Sequence, residues 1–589
     1  MGSEQPARPT GSRANGKVAF ADESARVLLS GSVDQLCRPD EPTWRQVKHN
    51  TSRTVYCGHV GGQEIYLKHF HSRSIVHRGL RHLGSSDAMR ELRFAKYLSS
   101  RGVPTAPALA AFCADGVEWL ATQGVAPAQR VDAWHEQQLR RGRQGRRLIC
   151  QATIALARLI GHMHAAGVVH RDLHCGNILV RAGDDPERPV ELVLMDLHRA
   201  YRRGDLSRRA MSANLAQLYH DRHHLTTRTE RLRFLTHYLR ASGASGTLHG
   251  WHVLVERFAQ MHTRRQHSQR DRRVLKHNRY FAKLSMPGGW RAYVVLGSKR
   301  RMAGSRAAEH SFRAADWLEA LGRPESLLEG GEGEVVKDSR SSLVVRRRLK
   351  VGPHSLDVYV KRRRRKHTWK VVPDCFRPAR AIRAFALGHA LLTRRIATAL
   401  PLAALERRSG PVLLDSILIT EAVEAPQLNE FMERWLGVPP KGDTRLSAAE
   451  QHQLARDVLW QLGRLVQRLH DSRFAHRDLK ATNMLVRWQV GASPEIVLVD
   501  LDGLTRRRVL TARRRFQGLM RLNVSLLKCP VVNRAGRLRM LMGYLRRPGG
   551  GAVHFKPYWR TLEDWSARKL RQQIRSRRRR QKAVRRPGP

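Results

Sequence analysis

The sequence predicts an α+β chain made of two tandem two-lobed domains, each with a small β-rich N-lobe and a mostly helical C-lobe. Three observations predict it. The loop His170-Arg171-Asp172-(4)-Asn177 recurs as His476-Arg477-Asp478-(4)-Asn483. Each loop is preceded, roughly 100 residues upstream, by a strand-like segment ending in lysine, Ile65-Tyr66-Leu67-Lys68 and Val358-Tyr359-Val360-Lys361. Each is followed by an apolar run that closes on an aspartate, Leu194-Met195-Asp196 and Leu498-Val499-Asp500.

Order and spacing hold together across the chain. The copies are offset by 293 at the lysines, 306 at the loop aspartates and 304 at the later aspartates. A further match, Leu232-Arg233-Phe234-Leu235-(2)-Tyr238-Leu239 with Leu538-Arg539-Met540-Leu541-(2)-Tyr544-Leu545, is offset by 306. Chance similarity does not preserve order and register together, so the chain carries a duplicated domain. The expected organisation is a disordered tail over 1–30, a first domain over 31–283, a connector over 284–330, a second domain over 331–570 and a basic tail over 571–589. Met286-Pro287-Gly288-Gly289 and Glu329-Gly330-Gly331-Glu332-Gly333 punctuate the connector, and Phe312 to Leu321 reads as a short helix within it.

The elements around each loop follow from periodicity. Leu148, Ala152, Leu156, Leu159 and Met163 recur at helical spacing before His170, as do Leu454, Val458, Leu462, Leu465 and Leu469 before His476. Each amphipathic helix delivers the chain into its loop. Short apolar strands follow, Ile178-Leu179-Val180 and Met484-Leu485-Val486, and then the run ending in aspartate. A helical stretch from Asp87 to Leu98 carries Glu91.

These residue types suit phosphoryl transfer from ATP, which needs a positioned hydroxyl, a positioned metal and compensation of phosphate charge. Asp172 is the candidate base for an acceptor hydroxyl. Asn177 and Asp196 are oxygen ligands of the kind Mg²⁺ prefers. Lys68 can hold the α- and β-phosphates, and Glu91 can pair with it. In the second copy Asp478, Asn483, Asp500 and Lys361 take the corresponding places. Aligning the helices puts Ala384 where Glu91 lies, so Lys361 is expected to lack that carboxylate.

The motif set resembles the protein-kinase-like superfamily. Within it, His170-Arg171-Asp172-Leu173-His174-Cys175-Gly176-Asn177-Ile178-Leu179-Val180 and Met195-Asp196-Leu197-His198-Arg199-Ala200 resemble the bacterial lipopolysaccharide kinase (Kdo/WaaP) family. So do Ile65 to Phe70, Arg90-Glu91 before Arg101-Gly102-Val103-Pro104, and Leu232 to Leu239. The resemblance covers both copies. It implies ATP and Mg²⁺ as cofactors, and phosphorylation of a sugar hydroxyl, on Kdo or heptose, in the inner core of lipopolysaccharide. It also implies the roles given above to Lys68, Glu91, Asp172, Asn177 and Asp196.

Several positions depart from a Ser/Thr protein kinase. No GxGxxG lies between the first two strands, so phosphate contacts fall to Lys48, Arg53 or backbone N–H groups. No Ala-Pro-Glu follows Asp196, and His174 stands where protein kinases carry lysine; Lys480 keeps that lysine in the second copy. The run Arg362-Arg363-Arg364-Arg365-Lys366 beside Lys361 reads as a solvated face or a contact for acceptor phosphates. The rival readings are a Ser/Thr protein kinase and a pseudokinase scaffold on anionic surfaces.

Composition bounds partners and compartment. With 108 Lys and Arg against 50 acidic residues, the net charge of +58 attracts polyanions. An anionic glycolipid acceptor and peripheral contact with an anionic membrane surface fit it. Nucleic acid fits less well, because the basic stretches lack interleaved aromatics. Seven scattered cysteines without CxxC predict a reducing cytoplasm rather than a disulfide framework. No secretory h-region and no membrane span are legible. Trp44, Trp119 and Trp251 read as core residues, and His220-Asp221-Arg222-His223-His224 as a packing cluster rather than a metal site.

Overall fold

A computed structural model describes residues 18–31, 36, 39, 43–50, 52–71, 86–114, 117–181, 189–222, 225–297, 309–329, 333–364, 377–436, 446–546 and 553–584. Its two compact units meet in sequence at Arg264 and Arg265, within the helix Leu248–Arg273.

In the first unit six antiparallel strands form the N-lobe sheet, in the order Ala19–Phe20, Ala108–Ala114, Val117–Gln123, Gln63–Phe70, Arg53–Val60 and Arg45–Asn50. Gly61 and Gly62, at φ 55° and 77°, turn Arg53–Val60 directly into Gln63–Phe70. Two consecutive positive φ values are what a tight hairpin needs and what glycine tolerates. Along Gln63–Phe70 the side chains alternate, so Ile65 and Leu67 enter the core while Lys68 projects from the other face. The helix Asp87–Ser99 packs on this sheet through Ala88, Leu92, Ala95 and Leu98. Ser86 caps its N-terminus by accepting from Met89 N–H at 3.0 Å. The Glu118 carboxylate, on the sheet, accepts from Asp87 N–H at 2.9 Å. Glu91 lies on the same buried face.

The C-lobe hangs on the helix Gly142–Ala165, whose Leu148, Ile149, Ala152, Leu159, Ile160 and Met163 are buried. It leads into the strand Val168–His170, which pairs with Ala200–Arg202. The strands Ile178–Arg181 and Glu191–Leu194 form the second small ladder. Trp44, Trp119 and Trp251 are all buried.

The second unit repeats this plan, from the helix Arg380–Thr393 through the long helix Ala448–Asp471 to the strand pairs Phe474–His476 with Leu504–Arg506 and Met484–Arg487 with Glu495–Leu498. Its sheet has seven strands, in the order Phe281–Met286, Trp290–Val295, Pro401–Ser409, Val412–Glu421, His354–Arg363, Ser342–Val351 and Glu334–Ser339.

Three expected boundaries differ from the structure. Much of the segment read as a connector over 284–330 belongs to the second unit. Phe281–Met286 and Trp290–Val295 form a hairpin on Pro401–Ser409, and the helix Ala314–Ala320 buries Trp317, whose indole donates to Val295 O at 2.7 Å. The Pro-Gly-Gly at 287–289, which has the composition of linker punctuation, is the hairpin turn, with Gly288 and Gly289 at positive φ. Residues 298–308 and 330–332 lie outside the described residues. The tail over 1–30 is ordered from residue 18: Ala19–Phe20 pairs with Ala108–Ala114, and the helix Glu23–Leu29, capped by Asp22, buries Ala25 and Leu29. The basic tail over 571–589 is helical to Val584, continuing a helix that starts at Lys556 and anchors through Trp559 and Leu562; residues 1–17 and 585–589 lie outside the described residues. Among the described residues, no helix is long and apolar enough to cross a membrane.

Candidate functional site

In the first unit the loop is held by a histidine at its entrance. His170 is fully buried and its Nδ1 accepts from Asp172 N–H at 3.1 Å, while its Nε2 lies 3.0 Å from Met195 O. The first contact makes Nε2 the protonated nitrogen, donating to Met195 O. Burial lowers the His170 pKa, which keeps the ring neutral. Asn214 brackets the same residue, donating to His170 O at 2.6 Å and accepting from His170 N–H at 3.3 Å. Asn177 donates to Asp172 O at 3.0 Å, which leaves its Oδ1 as an oxygen ligand. Asp172 itself is half exposed, with His174 Nε2 at 3.8 Å from its Oδ1.

Asp196 closes its strand in the left-handed region, at φ 62° and ψ 47°. A non-glycine residue there is strained, and such strain clusters at functional turns. Its carboxylate meets two cations. Lys68 Nζ lies 3.2 Å from Asp196 Oδ1 and 2.5 Å from Glu91 Oε1. Arg53 donates to both carboxylate oxygens, at 2.8 and 2.5 Å. Burial favours the neutral form of Asp196, but Lys68 and Arg53 outweigh it and hold the carboxyl far below its usual range. Burial likewise opposes the charged form of Lys68, yet Glu91 and Asp196 raise its pKa. Arg53, expected at phosphates, thus sits on the turn aspartate.

The second unit brings Asp478, Asn483, Asp500 and Lys361 together. His476 Nδ1 accepts from Asp478 N–H at 3.2 Å, and its Nε2 lies 2.9 Å from Asp500 O. Asn483 donates to Asp478 O at 2.8 Å. Asp500 is also left-handed, at φ 59° and ψ 66°. Lys480 Nζ lies 2.9 Å from Asp478 Oδ2. The absent helix carboxylate does not leave Lys361 poorly held. Ala384 does occupy the Glu91 position, but Lys361 Nζ lies 2.7 Å from Asp500 Oδ1 and 2.8 Å from Asp502 Oδ2.

Sequence reasoning missed Asp502, the Arg53–Asp196 pair, Asn214, and the buried histidine–tyrosine contacts that lock each long helix. His164 Nδ1 lies 2.7 Å from Tyr238 Oη, and His470 Nδ1 lies 3.1 Å from Tyr544 Oη. The last pair was findable, because both residues recur at the same offset of 306. His220 Nδ1 lies 2.7 Å from Thr263 Oγ1, a packing contact; His223 and His224 lie outside the described residues. Among the described residues, the one group of metal-ligand types is Glu91, Asp196 and His198, within 4.8 Å of one another, and Lys68 already bridges the two carboxylates. Of the basic run beside Lys361, Arg362 pairs with Asp415 and Arg364 with Asp338; Arg365 and Lys366 lie outside the described residues.

A β-rich lobe presenting a lysine over a His-Arg-Asp loop and an aspartate turn defines the protein-kinase-like fold, here twice. The sequence profile of the lipopolysaccharide kinase (Kdo/WaaP) family matches residues 40–238 and 332–544. The chain belongs to that family. A 92-residue stretch is 38% identical to the lipopolysaccharide core heptose(I) kinase WaaP of Pseudomonas aeruginosa, covering 15% of this chain and 33% of that protein. The chain thus spans about a third of that relative's length. Among solved structures, WaaP in complex with acyl carrier protein is 22% identical, covers 42% of this chain and 98% of that one, and superposes with a TM-score of 0.33. The BubR1 kinase domain is 12% identical, covers 31% of this chain and 60% of that one, and has a TM-score of 0.20.

Proposed function

We propose that this chain is an ATP-dependent kinase that phosphorylates a sugar hydroxyl, on Kdo or heptose, in the inner core of lipopolysaccharide, and that the first unit carries the chemistry. The observation that supports this most is the Lys68–Glu91 pair meeting Asp196, with Asp172 and Asn177 on the adjoining loop. Lys68 binds the α- and β-phosphates as a point charge. Asp172 orients the acceptor hydroxyl and accepts its proton. The hydroxyl oxygen then bonds to the γ-phosphorus as the bond to the β,γ-bridging oxygen breaks, and ADP leaves with that electron pair.

The donor set fits a hard cation. Asn177 Oδ1 and the Asp196 carboxylate are oxygen ligands, and Asp196 is held ionised by positive neighbours. Mg²⁺ bound there would neutralise charge on the transferring phosphoryl group. Arg53 holds the same carboxylate oxygens, so it must yield them to the ion. It lies on the strand next to that of Lys68. His174, where protein kinases carry lysine, favours a small hydroxyl acceptor over a peptide. The net charge of +58 suits an anionic glycolipid.

Radiolabelled ATP offered with core glycolipid, with a generic protein and with no acceptor tests this reading. Label in the glycolipid is expected. Label in protein alone would overturn the acceptor, and no label with Mg-ATP still bound would favour a pseudokinase scaffold.

A further inference from the structure

The two units meet one electrostatic need in different ways. A buried lysine that holds phosphates needs a carboxylate to fix it. In the first unit that carboxylate is Glu91, on the helix Asp87–Ser99, and the position two after the turn aspartate is His198. In the second unit the helix position is Ala384, and the position two after the turn aspartate is Asp502.

Backbone geometry fixes the equivalence. Val103 N–H donates to Leu98 O after the first helix, as Ile396 N–H donates to Leu391 O after the second. Lys68 pairs across its sheet with Leu120, as Lys361 pairs with Leu418. The first comparison, an offset of 293 shared by the two lysines, places Ala384 at the Glu91 position. The carboxylate lies on the helix in one unit and on the turn in the other, within one chain.

We propose that Asp502 is the positioning residue of the second unit, holding Lys361 from the metal-binding turn in place of a helix carboxylate, so that the second unit is a nucleotide-phosphate site in its own right. The inference rests on the kinase reading above. Asp502 Oδ2 lies 2.8 Å from Lys361 Nζ, and both side chains are mostly shielded from solvent. Asp500 is the residue proposed for the cation in this unit, which leaves Asp502 as the carboxylate that belongs to the lysine. Lys361 is then set by the turn, whatever the placement of the helix Arg380–Thr393.

The test uses the full chain with Lys68→Ala, so that binding of a fluorescent ATP analogue with Mg²⁺ is read at the second unit. Asp502→His and Asp502→Asn are each expected to weaken binding by about tenfold or more, equivalent to about 1.4 kcal/mol. The transplant Ala384→Glu with Asp502→His, which rebuilds the first unit's arrangement, is expected to recover affinity to within about threefold of the Lys68→Ala parent. A purely structural role for Asp502 would not be rescued in this way. Parental affinity in both single variants would overturn the proposal. So would a double variant that melts like its parent yet binds no better than Asp502→His. A Lys68→Ala parent that binds no nucleotide overturns it together with the kinase reading of the second unit. Failure of the glycolipid assay with nucleotide binding intact would instead remove the acceptor assignment alone.

Discussion

At the residue scale, the first site is a chain of alternating charges, Glu91, Lys68, Asp196 and Arg53, each within 3.2 Å of the next. Removing one member leaves its neighbour charged in a buried place, which costs more than the pair is worth. Glu91→Gln keeps shape and removes the charge. The expected result is a rise of about tenfold or more in KM for ATP, from a loss on the order of 1–3 kcal/mol at Lys68. A variant with unchanged KM would show that Asp196 alone positions the lysine. The residues of this chain were unequally legible. Lys68, Asp172, Asn177 and Asp196 sit in local motifs whose spacing is written in the sequence. Arg53 and Asp502 act across sequence gaps of 143 and 141 residues. Their partners are created by folding, and nothing local marks Asp502 or ties Arg53 to Asp196.

At the element scale, the long helices were legible because burying one face imposes the 3.6-residue period. The hairpin at 281–295 was not, because its Pro-Gly-Gly turn has a linker's composition and its alternation covers only six residues a side. Two predictions belong here. The helix Ala448–Asp471 crosses the helix Arg534–Leu545 at Gly463, where an added Cβ would lie 2.1 Å from Met540 O and 2.7 Å from Tyr544 N. Gly463→Ala therefore forces backbone apart and is expected to destabilise the second unit by about 1–3 kcal/mol, read as a lower melting temperature. The second concerns His164 and His470, buried beside Tyr238 and Tyr544. Burial lowers the pKa of each from 6.5 to about 4. Between those values the unfolded chain binds protons that the folded chain refuses, so stability falls as pH falls. Thermal melts should show a decline from about pH 6.5 towards pH 4, on the order of 3 kcal/mol per histidine at the acid end. His164→Gln with His470→Gln should reduce that slope, leaving the share of His389, which burial likewise lowers to about 4; an unchanged slope would assign it to other groups.

At the scale of the whole molecule, duplication has preserved the fold of each unit while letting the wiring of the two sites diverge. The first keeps Glu91 on the helix and His174 on the loop. The second carries Asp502 on the turn and Lys480 on the loop. The duplication itself was plain in the sequence, since matched spacings survive when individual residues do not. The difference in wiring was not, because it depends on which charges meet in space. The proposed reaction has the first unit move phosphate from ATP to a core sugar through Asp172. It is tested most directly by measuring phosphate transfer to purified core glycolipid with Asp172→Ala beside the unaltered chain, while following Mg-ATP binding in both. The predicted result is transfer lowered by about 10³-fold or more with nucleotide affinity retained. Transfer at the unaltered rate in Asp172→Ala would contradict the claim and move the chemistry to the second unit or to another residue.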